Sequence, residues 1–184
     1  METQTKKYQK LNEFALKNGV VIFGEGADTE IPASELVQSF ELDYPAYNRS
    51  FFKLNLENSI ALYDSCVKNL MPDTVLLHIG ANDVAFFNEN KVAFEQKYIA
   101  LIEHIKTIDK KCRIVVVSID NGTINQALKN IADSTKCEFG DLSAIKVWNP
   151  RAMKNITSFV QTMGVRRYCK KKPIYDVLKI LFAY

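Results

Sequence analysis

The sequence is short of the residues that mark non-globular chains. Only 7 of its 184 residues are glycine and 5 are proline, which excludes collagen-like and low-complexity proteins. No apolar run reaches the roughly 18 residues of a membrane span. The segment Met1–Asn18 is charged and carries no signal-peptide core, so we expect a cytoplasmic protein. With no repeat or linker-like stretch, we predict a single domain over residues 1–184.

The residues that bind metals or form disulfides are also few. The chain has two histidines, far apart, and no clustered carboxylates, so we predict no metal site and no cofactor. Its cysteines are scattered without a Cys-x-x-Cys pair, and we expect them to be reduced thiols. They are Cys66, Cys112, Cys137 and Cys169.

Net charge is small, but one basic segment stands out. The chain carries a net charge of +3, and residues 166–172 hold five cations and no acid. Five cations with one aromatic are few for a surface that follows phosphates. We therefore predict a solvated loop here, with neither a nucleic acid nor a membrane as partner.

What the sequence does have is an alternation of buried strands and amphipathic helices. Three short apolar runs, at 20–23, 74–79 and 113–117, do not alternate in polarity, as is typical of parallel strands buried on both faces. Apolar stripes at spacings of three and four predict helices over 56–70 and 94–108. Weaker signals predict two more strands, at 44–48 and 137–141, and further helices at 32–40, 124–132, 153–163 and 174–182. The pattern predicts an α/β three-layer sandwich around a parallel sheet of about five strands, flavodoxin-like in type.

Ligands of such sheets bind outside the carboxyl ends of the strands. Three loops are predicted there, at residues 24–29, 48–53 and 80–83. The first, Gly24-Glu25-Gly26, resembles a dinucleotide-binding turn. Its third glycine position is Thr29, so nucleotide binding remains a minor alternative.

The third loop carries a more specific signal. The stretch 70–84, with its Gly80-Ala81-Asn82-Asp83, resembles the Gly-x-Asn-Asp block of the SGNH (GDSL) hydrolases. The loops at 24–29 and 47–49 resemble that family's Gly-Asp/Ser-Ser and Tyr-Asn-Arg blocks, and Gly164-Val165 resembles part of its Asp-Gly-Val-His block. The four blocks occur in the family's order along the whole chain.

The resemblance implies a Ser-His-Asp ester hydrolase on an α/β sandwich. In that mechanism a serine attacks an acyl carbonyl, a histidine takes its proton, and an aspartate orients the imidazole. Backbone N–H groups of the serine and of a second-block glycine, with the amide of the third-block asparagine, stabilise the oxyanion.

The family's catalytic positions are nevertheless altered in this chain. The nucleophile position falls on Gly26, the histidine on Arg166 and its aspartate partner on Met163. The second-block oxyanion glycine is replaced by Lys53.

Of the site that the resemblance implies, only the third block and the residues around the altered positions remain. Gly26, Lys53, Gly80 and Asn82 are the candidate oxyanion or ligand-binding residues. A possible pocket rim is predicted from four more side chains, Glu25, Ser50, Asp83 and Arg166.

No other residue supplies the missing groups. His78 lies in an apolar run and is predicted to pack in the core, and His104 lies mid-helix beside an apolar stripe. Cys66 is expected in the core, and Thr29 is placed to cap the next helix. Ser50 has no assignable histidine to activate it.

The sequence therefore predicts a pseudoenzyme of an esterase family, a non-catalytic binding or accessory protein. Its ligand is expected to be a small anionic, acyl or carbohydrate molecule. The alternative is a weak or unconventional ester hydrolase acting on acylated carbohydrate or a similar small ester.

Overall fold

Five parallel strands form the centre of the molecule. The structure, a computed structural model, describes residues 1–39 and 42–142. The strands lie in the order β2-β1-β3-β4-β5, which is the flavodoxin-like order. They are β1 (Val20–Gly24), β2 (Ala46–Asn48), β3 (Thr74–His78), β4 (Arg113–Val117) and β5 (Glu138–Gly140).

Side chains from both faces of the sheet are buried, as the continuous apolar runs require. Val75 and Leu77 point into the larger cluster, which packs under the helices on one face. Leu76, between them, points into a smaller cluster on the other face. Because β1 and β3 are central strands with apolar layers on both sides, they hold the loops that follow them in fixed positions.

Six helices connect and flank these strands in the described part of the chain. Asparagines begin three of them: Asn55, Asn90 and Asn121 each accept backbone N–H groups of the first turn, as expected of N-cap residues. No helix within residues 1–39 and 42–142 is long and apolar enough to cross a membrane. The helices are α1 (Glu2–Asn12), α2 (Ala33–Ser39), α3 (Leu56–Cys66), α4 (Val84–Glu89), α5 (Lys91–Ile108) and α6 (Gly122–Ser134).

The predicted α/β class and the five-stranded parallel sheet are confirmed. The stripe predicted as one helix over 56–70 is α3 followed by a separate 3₁₀ turn, Lys68–Leu70. Two helices, α1 and α4, were not predicted. The only buried residue of α1 is Tyr8, so it presents almost no apolar stripe to the sequence. The predicted helices at 153–163 and 174–182 lie outside the described residues.

Candidate functional site

The three loops predicted to carry the site meet at the carboxyl edge of the sheet. Ser50 Oγ accepts a hydrogen bond from the Gly24 N–H at 3.1 Å, which ties the second loop to the first. The Asn82 amide donates to the Leu54 carbonyl at 2.7 Å, which ties the third loop to the second. A parallel bridge between Glu25 and Phe51 extends the sheet by one step at this edge. The sequence therefore placed the right loops together.

The centre of the site is the carboxylate of Glu25, held by three consecutive backbone amides. Gly80 N–H donates to Oε1 at 2.6 Å, Asn82 N–H donates to Oε2 at 2.7 Å, and Ala81 N–H also donates to Oε1. The side chain is buried, with Glu25 only 6% exposed. Burial raises the pKa of Glu25, the three backbone hydrogen bonds lower it, and the charge of Asp83 raises it, with a net upward shift. Glu25 was predicted at a pocket rim; it is instead an internal anion that fills the amide cradle after β3.

The donors that would hold an oxyanion are bonded within the protein. The Asn82 Nδ2 group donates to the carbonyl of Phe52 at 3.0 Å as well as to that of Leu54. The Gly26 N–H points at the same Phe52 carbonyl, at 3.4 Å. One backbone oxygen thus lies between two of the three donors that an ester hydrolase of the resembled family would aim at its substrate.

Gly26 lies in a tight turn, and the space next to its α-carbon is open. Its φ is +57°, in the left-handed region that favours glycine. A β-carbon built at this position meets no atom within 4 Å. A side chain would therefore fit at the position of the family's nucleophile, but glycine adopts this left-handed turn with the least strain.

Two further residues predicted at the rim lie below the surface. Ser50 is fully buried, and besides the Gly24 bond its carbonyl accepts from Gln4 and Tyr8 of α1. Asp83 is buried and accepts from the Leu56 N–H at 3.0 Å, at the start of α3. Burial raises the pKa of Asp83, and the Leu56 hydrogen bond lowers it. Both side chains stabilise loops, which corrects their assignment to a rim.

The other predicted ligand-binding residues differ in accessibility. Gly80 is buried with φ of +138°, and its N–H is engaged by Glu25. Lys53 and Asn82 are exposed, and the ring of Phe52 is 67% exposed beside them. The surface over the site therefore offers an aromatic ring, a cation and the edge of an amide.

The structure reveals a His-Asp pair that the sequence interpretation missed. His78, the last residue of β3, places Nδ1 2.6 Å from Oδ2 of Asp28. Burial lowers the pKa of His78, but the Asp28 hydrogen bond and charge, the charge of Glu25 and a hydrogen bond to the Ser118 backbone together raise it above its ordinary value. A carboxylate and a backbone carbonyl both accept hydrogen bonds, so both partners favour the protonated, charged ring. His78 was expected to pack in the core; it lies instead at the carboxyl edge, mostly buried and paired with Asp28.

A glycine makes room for this pair. Gly24 is the register partner of His78 on the neighbouring strand. A β-carbon at position 24 would stand 1.9 Å from Asp28 Oδ2. Three features of the sequence could have indicated this pair: a glycine at the end of β1, a histidine at the end of the neighbouring strand β3, and an acidic residue four positions after the glycine.

Comparison with known proteins finds similar structures but no similar sequences. No family model and no curated protein matches the sequence. A GDSL-like lipase from Bacteroides thetaiotaomicron aligns with a TM-score of 0.59 and 17% identity, over 79% of this chain and 81% of the other. The esterase EstA from Pseudoalteromonas aligns at 0.56 and 13%, over 68% and 77%. A catalytic mutant of the acetylxylan esterase Axe2 from Geobacillus stearothermophilus aligns at 0.53 and 16%, over 85% and 99%.

The chain has the SGNH hydrolase fold. The identities are too low to carry activity across, so the resemblance noted in the sequence blocks is confirmed at the level of the fold. Within that fold the predicted loops at residues 24–29, 48–53 and 80–83 lie at the carboxyl edge of the sheet.

Several residues weighed for an SGNH mechanism have structural roles or lie outside the described residues. His104 of α5 bonds through Nε2 to Asp64 of α3 at 2.9 Å, between two helices. Thr29 does not cap α2, because its hydroxyl donates to the Gly26 carbonyl within the 3₁₀ turn Gly26–Glu30. Cys66 is fully buried in the core, as expected. Met163 and Arg166, the positions of the family's aspartate and histidine, lie outside the described residues, as does the basic run 166–172.

Proposed function

We propose that this protein is a non-catalytic ligand-binding protein built on the SGNH hydrolase fold. One observation carries the proposal: the Phe52 carbonyl accepts from the Asn82 amide at 3.0 Å and is approached by the Gly26 N–H at 3.4 Å. A donor already paired with a backbone oxygen stabilises an oxyanion only if that pairing breaks, so the pre-organisation that makes an oxyanion hole effective is lost.

The missing nucleophile and base support the same conclusion. Position 26 carries no side chain, so no serine can attack an acyl carbon there. The ring of His78 is bonded to Asp28 Oδ2 and to the Ser118 backbone. Both acceptors favour the protonated ring, which opposes a role as the base for a nucleophile.

The exposed groups over the site indicate what kind of ligand it would hold. The Lys53 ammonium would pair with a carboxylate or phosphate, and the Phe52 ring would pack against an acyl chain or a sugar face. These contacts favour a small anionic ligand with an apolar or carbohydrate part. Nucleotide binding at the glycine turn has less support, because the Gly24 and Gly26 amides are directed to Ser50 and Phe52.

Hydrolysis of p-nitrophenyl acetate and longer acyl esters tests the loss of catalysis. We expect no turnover above the buffer rate, both for the natural protein and for Gly26→Ser, because a serine alone lacks a base. Turnover by the natural protein that disappears in Asn82→Ala would overturn the proposal and favour the second candidate, a weak ester hydrolase. That candidate rests on the His78–Asp28 pair, which lies at the edge where esterases of this fold carry their chemistry.

Thermal unfolding in the presence of carboxylates, sugar phosphates and acylated sugars tests ligand binding. A ligand at a hundred times its Kd adds about 2.7 kcal/mol to the free energy of unfolding, which raises the Tm by roughly 5–10 °C in a chain of this size. The shift should vanish in Lys53→Ala and persist in Lys129→Ala, a matched exposed lysine on α6. A flat response to every compound, or an equal loss in both variants, would contradict a ligand site at this edge.

A further inference from the structure

Four exposed apolar residues lie near the amino-terminal ends of β1 and β3, at the edge of the sheet opposite the candidate site. They are found where α1 ends and where the 3₁₀ turn Lys68–Leu70 meets β3. These four residues, which we call the apolar corner, are largely uncovered: Leu11 at 47%, Phe14 at 87%, Leu16 at 69% and Met71 at 57%.

Backbone hydrogen bonds bring together the two segments that carry these residues. The Phe14 N–H donates to the Leu11 carbonyl, which continues the helical turn beyond α1. The Asn18 N–H donates to the Leu70 and Met71 carbonyls, which brings the segment after Leu16 against the turn that carries Met71. The corner is therefore a fixed feature of the fold.

Lysines surround the apolar corner. Lys7 and Lys10 lie on the outward face of α1, and Lys6, Lys7, Lys10 and Leu11 line one shallow groove there. Lys17 reaches the Asn69 carbonyl from the other side, beside the exposed Lys68. Lys6 is paired with Glu2. Within the two segments that carry the corner, residues 6–17 and 68–73, four other lysines therefore stand against two acidic side chains, Glu13 and Asp73.

We propose that the apolar corner docks on an anionic lipid surface. A phenyl ring that is 87% exposed projects from the protein rather than lining a groove, and such a side chain is suited to enter the acyl boundary of a bilayer. Lysine side chains are long enough to keep their ammonium groups at the level of the lipid phosphates while their stems remain among apolar groups. The weakness of the basic run 166–172 predicted no membrane partner, but the apolar corner is a different surface, and attraction to a charged membrane depends on the local patch.

The docking is peripheral and shallow. The corner lies on a helix end and a turn, and no helix of the described residues could span a bilayer. Affinity should therefore depend both on the inserted side chains and on the lipid charge, and it should weaken with added salt.

Co-sedimentation of the full chain with vesicles tests the proposal. We expect binding to phosphatidylcholine vesicles that contain phosphatidylserine and much weaker binding to phosphatidylcholine alone. Replacing Phe14 and Leu16 together by serine should lower the vesicle affinity about tenfold or more, since each removes a buried apolar side chain from the lipid. Lys7→Glu with Lys10→Glu should lower it similarly, whereas Val92→Ser, an equally exposed apolar residue on α5, should leave it unchanged.

Three results would overturn the proposal. One is the absence of binding to anionic vesicles. Another is binding that survives both double variants and is lost only when the five cations of residues 166–172 are replaced. The third is a dimer of the natural protein, seen by light scattering, that becomes monomeric in the Phe14→Ser, Leu16→Ser variant, which would assign the corner to a protein interface. Because the altered side chains are exposed, an unchanged Tm confirms that each variant is folded.

Discussion

Replacing Asp28 by asparagine should destabilise the protein strongly, and more at mildly acidic pH than at alkaline pH. Side-chain exposures are 19% for His78 and 9% for Asp28, and the two groups are 2.6 Å apart. Removing one partner of a buried ion pair leaves the other charge uncompensated and costs about 3 kcal/mol or more. In a chain of this size that lowers the Tm by roughly 6–12 °C.

The pH dependence has a definite sign. The folded-state pKa of His78 is raised above its ordinary value, so protonation stabilises the folded state. That contribution is fully present below the unfolded pKa of about 6.5 and is lost as the pH rises through the folded pKa. The penalty of Asp28→Asn should therefore be largest near pH 6 and should shrink near pH 9, where the ring can be neutral.

Urea unfolding at the two pH values measures this effect, and the chain supplies a matched control. His104 and Asp64 are also hydrogen bonded, at 2.9 Å, but their side chains are 30% and 39% exposed. Solvent screens such a pair, so Asp64→Asn should cost at most about 1 kcal/mol. If Asp28→Asn costs no more than Asp64→Asn near pH 6, or if its penalty grows toward pH 9, then His78 is not a charged partner of Asp28.

Three further predictions concern the site loops and the core. Glu25→Gln places an amide N–H₂ among three backbone donors and should lower the free energy of unfolding by about 1–3 kcal/mol in urea titrations; an unchanged value would mean the cradle contributes little. Gly24→Ala displaces the Asp28 carboxylate and should lower the free energy of unfolding by about 3 kcal/mol. Gly26→Ala meets no neighbouring atom and should lower it only by the roughly 1 kcal/mol that a left-handed backbone costs. Equal losses in the two variants would contradict this. Burial and neighbouring acids raise the pKa of the Cys112 thiol to about 12, so peptide mapping at pH 8 should find it alkylated only as fast as the protein unfolds, and well after the half-buried Cys137.

Much of the fold could be predicted because buried parallel strands leave a strong pattern. The runs that became β1, β3 and β4 are short, apolar and non-alternating, which is typical of parallel strands buried on both faces. Helix α1 left no such pattern, since Tyr8 is its only buried residue and other contacts of the helix are polar. Its Asn12 side chain, for example, bonds to the Cys66 carbonyl and to the Arg49 guanidinium.

The three loops were predicted to meet and they do, but three of their residues predicted at a pocket rim are buried. The loops could be placed from the order of strands, since parallel strands end at one edge. The roles of Glu25, Ser50 and Asp83 could not, because the distance from a carboxylate or hydroxyl to a backbone amide across two loops depends on packing. The sequence beside a glycine turn does not show whether a polar side chain there faces solvent or accepts hydrogen bonds from backbone N–H groups of another loop.

The sequence by itself determined the class of the fold, the edge of the sheet at which the three loops meet, and the lack of a side chain at position 26. These follow from composition, periodicity and the identity of single residues, which are local properties. Only the tertiary structure decided that the Phe52 carbonyl accepts from the Asn82 amide and that Asp28 pairs with His78. Those contacts join residues 30 and 50 positions apart, and angstrom-scale packing of the two central strands sets whether they form. The scarcity of histidine therefore limits the chemistry available to the protein, and the fold engages both of its histidines with aspartates.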